Sequence, residues 1–229
     1  MLPRTVLGSV IAFFVVHGVA CDPCYPKTDA DLRDVVDAST CDWLYVEDTS
    51  LTNLEALRGL ESVGIGIIVR RNAALNDVSA LGSLNRIPQV QIEDNAALAE
   101  ISLSVEGETG TDAYISIRNN PTSSIALALG PELGGLTVTN LSPLASLNVE
   151  GLQSMRTLRL EDLPALEDLR GLGGITSVSV LNFRRLPGLS TAEVDAFVQQ
   201  LQEAPIELVT CGLADSEICE GDDATPLEG

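Results

Sequence analysis

The stretch LTNLEALRGLESVGIGIIVRRNAAL, residues 51–75, contains one complete unit of a pattern that recurs along most of the chain. Its centre is an apolar pair two positions apart, Ile67 and Val69, and a leucine follows six residues after the second. The second member of the pair recurs at gaps of 23, 23, 25, 21, 22 and 23 residues, as Val46, Val69, Ile92, Ile117, Val138, Leu160 and Phe183. The first member is also apolar in every repeat: Leu44, Ile67, Val90, Ile115, Leu136, Leu158 and Leu181. Period-two alternation predicts a β-strand with one buried face, and its recurrence predicts a stack of about seven equivalent units.

The segments between these strands show two further regularities. Apolar residues recur at every third position, as in Leu51, Leu54 and Leu57, which predicts a tight, 3₁₀-like return segment. An asparagine stands three residues after the strand marker in Asn72, Asn95 and Asn120, where its amide can satisfy turn backbone groups. The later repeats carry leucine at this place, as Leu141, Leu163 and Leu186, and two of their turns contain proline, Pro164 and Pro187.

The two ends of the chain differ from the repeats. Residues 1–20 have a single charge, an apolar run and small residues before Cys21, which predicts a secretory signal peptide. We therefore divide the chain into a signal peptide (1–20), an N-terminal cap (21–43), the repeats (44–189), a C-terminal helix and cap (190–219) and an acidic disordered tail (220–229). Ser190 and Glu193 form a capping box, which predicts a helix over residues 191–203, and a last strand is expected at 206–209.

Removal of the signal peptide limits the chemistry that remains. It removes Arg4 and His17, so the formal net charge changes from −20 to −20 − 1 = −21, and no histidine is left. Histidine-based catalysis and histidine-ligated metals are thereby excluded, and the strong negative charge argues against nucleic acids and anionic membranes as partners. No phosphate-binding glycine loop, calcium loop or cysteine metal cluster is present, so neither cofactor nor metal is expected.

The five cysteines all lie outside the central repeats. In an exported protein, Cys24, Cys41, Cys211 and Cys219 predict disulfides. Four cysteines permit three pairings, of which the local pairs Cys24–Cys41 and Cys211–Cys219 would each close one end. Cys21 is then the odd one. It follows Val19-Ala20 as in a bacterial lipoprotein box, although Gly18 stands where such boxes favour leucine, so lipidation and a free or intermolecularly paired thiol both remain open.

The segments DADLRDV, LYV and the quoted stretch, with Cys24 and Cys41 flanking the first, resemble the receptor L-domain. This leucine-rich-repeat type of module binds ligands in growth-factor and insulin-type receptors and has bacterial surface relatives. The resemblance runs from about residue 24 to 211. It implies a mainly β, right-handed parallel β-solenoid with a short C-terminal α-helix, disulfide-bonded ends and a binding role.

Residues that point outward from the predicted strands form two rows. The first is Tyr45, Ile68, Gln91, Ser116, Thr137, Arg159 and Asn182. The second is Glu47, Arg70, Glu93, Arg118, Thr139, Glu161 and Arg184, in which opposite charges alternate except at Thr139. This row is interpreted either as a salt-bridge ladder that fixes strand register or as part of a partner-binding face. The candidate binding face comprises Tyr45, Arg70, Gln91, Arg118, Arg159, Asn182 and Arg184.

The expected function is recognition of a protein or glycan at the cell surface or in the periplasm, without catalysis. Two alternatives remain: a structural or adhesive spacer, and a carbohydrate-active parallel β-helix enzyme. In such an enzyme Glu47, Glu93 and Glu161 would be the candidate acids. Each is expected to be paired with a neighbouring arginine, which does not suit a general acid. No catalytic residue is therefore predicted.

Overall fold

The computed structural model describes residues 23–38, 41–105, 108–216 and 219. The fold is mainly β, with 41% strand. The described strands are β1 (Trp43–Glu47), β2 (Gly66–Arg70), β3 (Arg86–Glu93), β4 (Glu100–Ser104), β5 (Glu108–Arg118), β6 (Ser124–Ala128), β7 (Glu132–Thr139), β8 (Ser146–Glu150), β9 (Ser154–Glu161), β10 (Ser177–Leu186) and β11 (Glu207–Leu213). The helices are α1 (Asp29–Ala38) and α2 (Thr191–Gln200), with 3₁₀ turns at Glu55–Leu57, Ser79–Ser83 and Arg170–Leu172.

The seven predicted strands lie side by side in one parallel sheet, in the order β1-β2-β3-β5-β7-β9-β10, and β11 adds an eighth at the end. Their register is the one that the repeat predicts, because Val46 pairs with Val69, Val69 with Ile92, and so on to Phe183. All seven marker residues and all seven residues two positions earlier are fully buried. The period-two apolar pattern therefore forms one continuous aliphatic core behind this large sheet.

A second, three-stranded parallel sheet of order β4-β6-β8 was not predicted. It occupies the return segments of the middle repeats, where buried residues alternate as Ile101 and Leu103 or Ile125 and Leu127. The repeats whose return segments have an apolar residue at every third position carry the 3₁₀ turns instead, as predicted. The choice between turn and strand therefore follows the local apolar period.

Two helices and two disulfides lie at the ends of the sheet. Helix α1, which the sequence analysis missed, buries Leu32 and Val35, and the Cys24–Cys41 disulfide lies beside it. Ser190 caps α2 by accepting a hydrogen bond from the Glu193 N–H, as the capping box predicts. This helix ends at Gln200 rather than 203, because the Gln202 N–H bonds the Thr176 carbonyl of the preceding repeat.

Both local disulfide pairings are confirmed, since Cys211 is bonded to Cys219. Two disulfides are typical of an extracytoplasmic environment. The predicted signal peptide, Cys21 and the acidic tail lie outside the described residues. The helices in the described part of the chain lack the length and hydrophobicity that a membrane-spanning helix requires.

Candidate binding face

The outer face of the large sheet carries all seven residues of the predicted binding face. Tyr45, Gln91, Arg159 and Asn182 lie in one row across the strands, and Arg70, Arg118 and Arg184 lie in the next. A third row, two residues before the first, contains Trp43, Gly66, Gln89, Tyr114, Gly135, Thr157 and Val180. We call these the central row, the charged row and the aromatic row, respectively.

The charged row begins as a continuous ion-pair ladder. Arg70 contacts Glu47 at 2.8 Å and reaches Glu93 at 3.9 Å, and Arg118 bonds the other oxygen of Glu93 at 2.5 Å. Although Glu93 lies in an outward-pointing row, it is only 6% exposed because the arginine side chains flank it. This part of the row therefore satisfies most of its own charge and fixes the register of β1, β2, β3 and β5.

Beyond Thr139 the ladder changes partners. Glu161 is held by Arg159 of its own strand, with Nε at 2.8 Å, and by Arg185 of the next repeat. The expected pair between Glu161 and Arg184 is not formed among the described contacts, because Arg185 takes that place and also bonds Asp162 at 2.6 Å. The Arg184 Nε is buried without a hydrogen-bond partner in the described structure.

A column of left-handed residues follows the charged row, and the sequence analysis missed it. Asp48, Arg71, Asp94, Asn119, Asn140, Asp162 and Arg185 all have φ between 50 and 57°. Neighbours in the column pair across repeats: Arg71 bonds Asp48 at 2.9 Å, and Asn140 donates to Asn119 at 2.7 Å. Hydrogen bonds from Arg71 hold the pKa of Asp48 below its ordinary value. The available signal was Asp or Asn at five of the seven positions, since these residues tolerate this conformation best.

The aromatic row holds further residues that sequence reasoning passed over. The chain has one tryptophan and three tyrosines, and all four lie on or against the outer face. Tyr25 stacks on Tyr45 with ring centroids 4.9 Å apart, and the Trp43 ring lies 5.9 Å from Tyr45. Tyr114, farther along the row, hydrogen-bonds Thr137. Trp43 was detectable, because it precedes Tyr45 by two positions and must share its face.

Two glycines make room for these rings. A Cβ at Gly66 would lie 2.6 Å from the Trp43 ring, and one at Gly135 would lie 2.8 Å from the Tyr114 ring. Each ring therefore lies across the glycine of the next strand rather than projecting into solvent. The aromatic surface is flat and held in place by the sheet.

The candidate acids of the enzyme alternative are engaged in ion pairs. Glu47, Glu93 and Glu161 each contact at least one arginine. Within the described residues, no three metal-ligating side chains come together in a cluster. The outer face thus offers aromatic surface, amides and arginines, which suit recognition by contact.

Comparison with protein-family models, with curated proteins and with solved structures finds no match to this chain.

Proposed function

We propose that this chain is an exported, non-catalytic binding module, a parallel β-solenoid of the receptor L-domain type. Its outer sheet face contacts a glycan or protein partner outside the cytoplasm. The observation that carries the proposal is the distribution of aromatic residues. The described core is mostly Leu, Ile and Val, and its only aromatic residues are two phenylalanines, Phe183 and Phe197, whereas every tyrosine and the tryptophan lie on or against the outer face. Tyr and Trp are the residues most enriched where proteins bind partners.

The solenoid assignment is supported by parallel pairing between consecutive repeats and by the recurrence of one turn conformation in all of them. Each repeat leaves its apolar strand face exposed until a neighbour covers it, so stability accumulates along the stack. This arrangement creates a wide, rigid face without long loops. Export is supported by the two disulfides, and a lipid anchor on Cys21 remains part of the proposal.

A non-catalytic role is supported by the state of the three glutamates in the charged row. The glutamates are enclosed by arginines, so none is presented as an acid beside an open cleft. General acid catalysis needs a carboxyl group within hydrogen-bond reach of the reacting bond.

The test compares matched substitutions on the two sheets. Ser116→Arg places a long charged side chain at the centre of the central row, and Ala126→Arg places the same group on the exposed face of the small sheet. The exported protein and both variants are immobilised and exposed to the cell-surface fraction of the source cells. We expect Ser116→Arg to reduce the retained material by about tenfold or more and Ala126→Arg to leave it unchanged. Equal retention by all three proteins would count against the outer face as the binding surface.

A further inference from the structure

One end of the outer face combines an aromatic surface with a cavity. Trp43 and Tyr45 of β1, together with Tyr25 at the outer edge of that strand, form what we call the aromatic shelf. The Tyr25 and Tyr45 rings are nearly parallel, at 17°, and Tyr25 is 56% exposed. A stacked pair with this exposure leaves the outer ring face open to a ligand.

The cavity results from an irregularity in the repeat. The interval from Ile92 to Ile117 is 25 residues, two longer than the interval before it. In the sheet, Ile87 pairs with Thr109 but Gln89 pairs with Tyr114, so residues 110–113 bulge out of the ladder. The bulge, the start of β3 and residues 64–65 line a cavity of about 390 Å³ that is open to solvent on one side. This volume lies within the range of about 300–1,000 Å³ that is typical of ligand pockets.

Glycine allows the bulge to lie against the next strand. A Cβ at Gly134 would lie only 2.4 Å from the Thr111 carbonyl oxygen and 2.6 Å from that of Ala113. No other residue fits there without moving the bulge. The cavity wall is therefore fixed by backbone packing.

The aromatic shelf borders this cavity through Trp43. The point where a Cβ would stand on Gly66 is 2.6 Å from Trp43 Cζ3 and 3.0 Å from the carbonyl oxygen of Gln89. Gln89 lines the cavity, as does Ile65, the chain neighbour of Gly66. The tryptophan ring and the cavity-lining Gln89 therefore meet at Gly66, so the shelf and the cavity are neighbours on the surface and a single extended ligand can contact both.

The cavity carries charged groups that have no partner among the described residues. Arg86 and Asp112 are exposed lining residues, and neither makes an ion pair or a side-chain hydrogen bond in the described structure. This is the opposite of the charged row, where Arg70 and Arg118 are paired. A strong donor and a strong acceptor are therefore available in a cavity that adjoins the aromatic shelf.

We propose that the aromatic shelf and this cavity form a binding site for a neutral oligosaccharide. A sugar hydroxyl both donates and accepts hydrogen bonds, so neighbouring hydroxyls can engage Arg86 and Asp112 together. The C–H groups on the face of a pyranose ring stack on the electron-rich faces of Trp43 and Tyr25. An anionic glycan is disfavoured by Asp112 and by the formal net charge of −20. This inference rests on the proposal that the outer face binds a partner, and it assigns the partner's chemistry and place.

The test uses the sole tryptophan as the reporter. The exported protein is titrated with maltohexaose, cellohexaose, xylohexaose, mannohexaose and chitohexaose, and with heparin and oligogalacturonate as anionic comparators. We expect at least one neutral oligosaccharide to give a saturable change in Trp43 emission. Asp112→Ala keeps the reporter and is expected to weaken that binding about tenfold. Trp43→Ala, followed by calorimetry, is expected to weaken it at least as much.

The matched control is Thr157→Ala, which removes a side chain from the same aromatic row on β9, five strands away from Trp43 on β1. It is expected to leave oligosaccharide affinity unchanged. Far-ultraviolet circular dichroism of each variant establishes that it is folded. The inference is overturned if no neutral oligosaccharide binds at about 5 mM, if only the anionic ones bind, or if Asp112→Ala and Trp43→Ala bind as the unsubstituted protein does. If one of these results is obtained and Ser116→Arg abolishes binding of a protein partner, the proposed function is retained and the oligosaccharide inference is rejected.

Discussion

The N-terminal and C-terminal repeats make the same turn with opposite chemistry. In both, a residue with φ near 50° follows the strand. The backbone carbonyl of the next residue then accepts a hydrogen bond from the N–H three positions later: Asn95 accepts from Leu98, and Leu163 accepts from Leu166. The N-terminal repeats put Asn72, Asn95 and Asn120 at this position, and the C-terminal repeats put Leu141, Leu163 and Leu186 there. All six are buried.

The asparagines are linked to one another. The side-chain Oδ1 of Asn95 accepts from the backbone N–H and the side-chain amide of Asn72, both at 3.1 Å, and the Asn95 side-chain amide in turn donates to Oδ1 of Asn120 at 3.2 Å. Their amides also donate to strand carbonyls such as Val46 and Val69. The leucines only fill space in the core. The comparison teaches that one backbone turn is stabilised either by a cooperative polar column or by independent apolar burial of about 2 kcal/mol per leucine.

The largest effect is expected from replacing the central asparagine by the residue that the other repeats use. Asn95→Leu removes the acceptor of two Asn72 donors and the donor to Val69, leaving several buried polar groups without partners. At about 1–3 kcal/mol for each such group, we expect a loss of about 4 kcal/mol in the free energy of unfolding. Urea denaturation with the disulfides intact measures it. A loss below about 1 kcal/mol would show that the column is not cooperative.

The reciprocal substitution sharpens the comparison. Leu163→Asn buries an amide between Leu141 and Leu186, where no neighbouring asparagine can bond it. We expect a loss of about 3 kcal/mol, from lost apolar burial and an incompletely bonded amide. Leu163→Met is the matched control and should cost less than about 1.5 kcal/mol. A stable Leu163→Asn protein would mean that the turn itself, not the column, supplies the amide's partners.

The strands and the polar column follow from the sequence because both depend on contacts between equivalent positions. Ile67 and Val69 show the buried face, and Asn72, Asn95 and Asn120 show the column, since stacked repeats bring like residues together. The small sheet was missed because its segments are short. An apolar-polar alternation as brief as that of Ile101 and Leu103 cannot be told from a return turn of similar composition. Helix α1 was missed because its apolar stripe is short: among its side chains whose burial is described, Leu32 and Val35 are the two that are buried.

The site was less predictable than the fold. Row membership follows from period two, so Tyr45 and Asn182 were placed correctly on one face. The cavity depends on a register shift at Ile87–Gln89 and on backbone contact at Gly134, and neither has a local pattern. Ion-pair partners depend on side-chain reach, so the sequence could not choose between Arg184 and Arg185 for Glu161.

A smaller contrast is expected in the charged row. Arg118→Met removes the 2.5 Å contact to buried Glu93 and leaves only Arg70 at 3.9 Å. Arg159→Met removes one contact to Glu161 but leaves Arg185 in place. We expect losses of about 1.5 kcal/mol for the first and about 0.5 kcal/mol for the second, measured by urea denaturation. Equal losses would show that the two halves of the ladder are equivalent.

The smallest effect concerns the exposed pair of Asp48 and Arg71 at the N-terminal end of the left-handed column. Hydrogen bonds from Arg71 lower the pKa of Asp48 from its ordinary value of 3.8. The ionised carboxylate is therefore more stable in the folded protein than in the unfolded chain. The pair therefore stabilises the fold above pH 3.8, and this contribution disappears as the pH falls through the lowered pKa. Arg71→Gln should raise the pKa of Asp48 toward 3.8 and reduce the stability difference between neutral and acidic pH.

Carbon-detected NMR titration of the Asp48 carboxyl group measures this pKa directly. The control lies in the C-terminal repeats, where hydrogen bonds from Arg170 lower the pKa of Asp168 in the same way. Arg170→Gln should raise the pKa of Asp168 and leave that of Asp48 unchanged, because each pair is local to its own repeat. If Arg71→Gln leaves the Asp48 titration unchanged, the guanidinium is not its partner in solution. The left-handed column would then be held by its backbone hydrogen bonds, such as that from the Asp48 N–H to the Arg70 carbonyl oxygen at 3.3 Å, in the polar and apolar repeats alike.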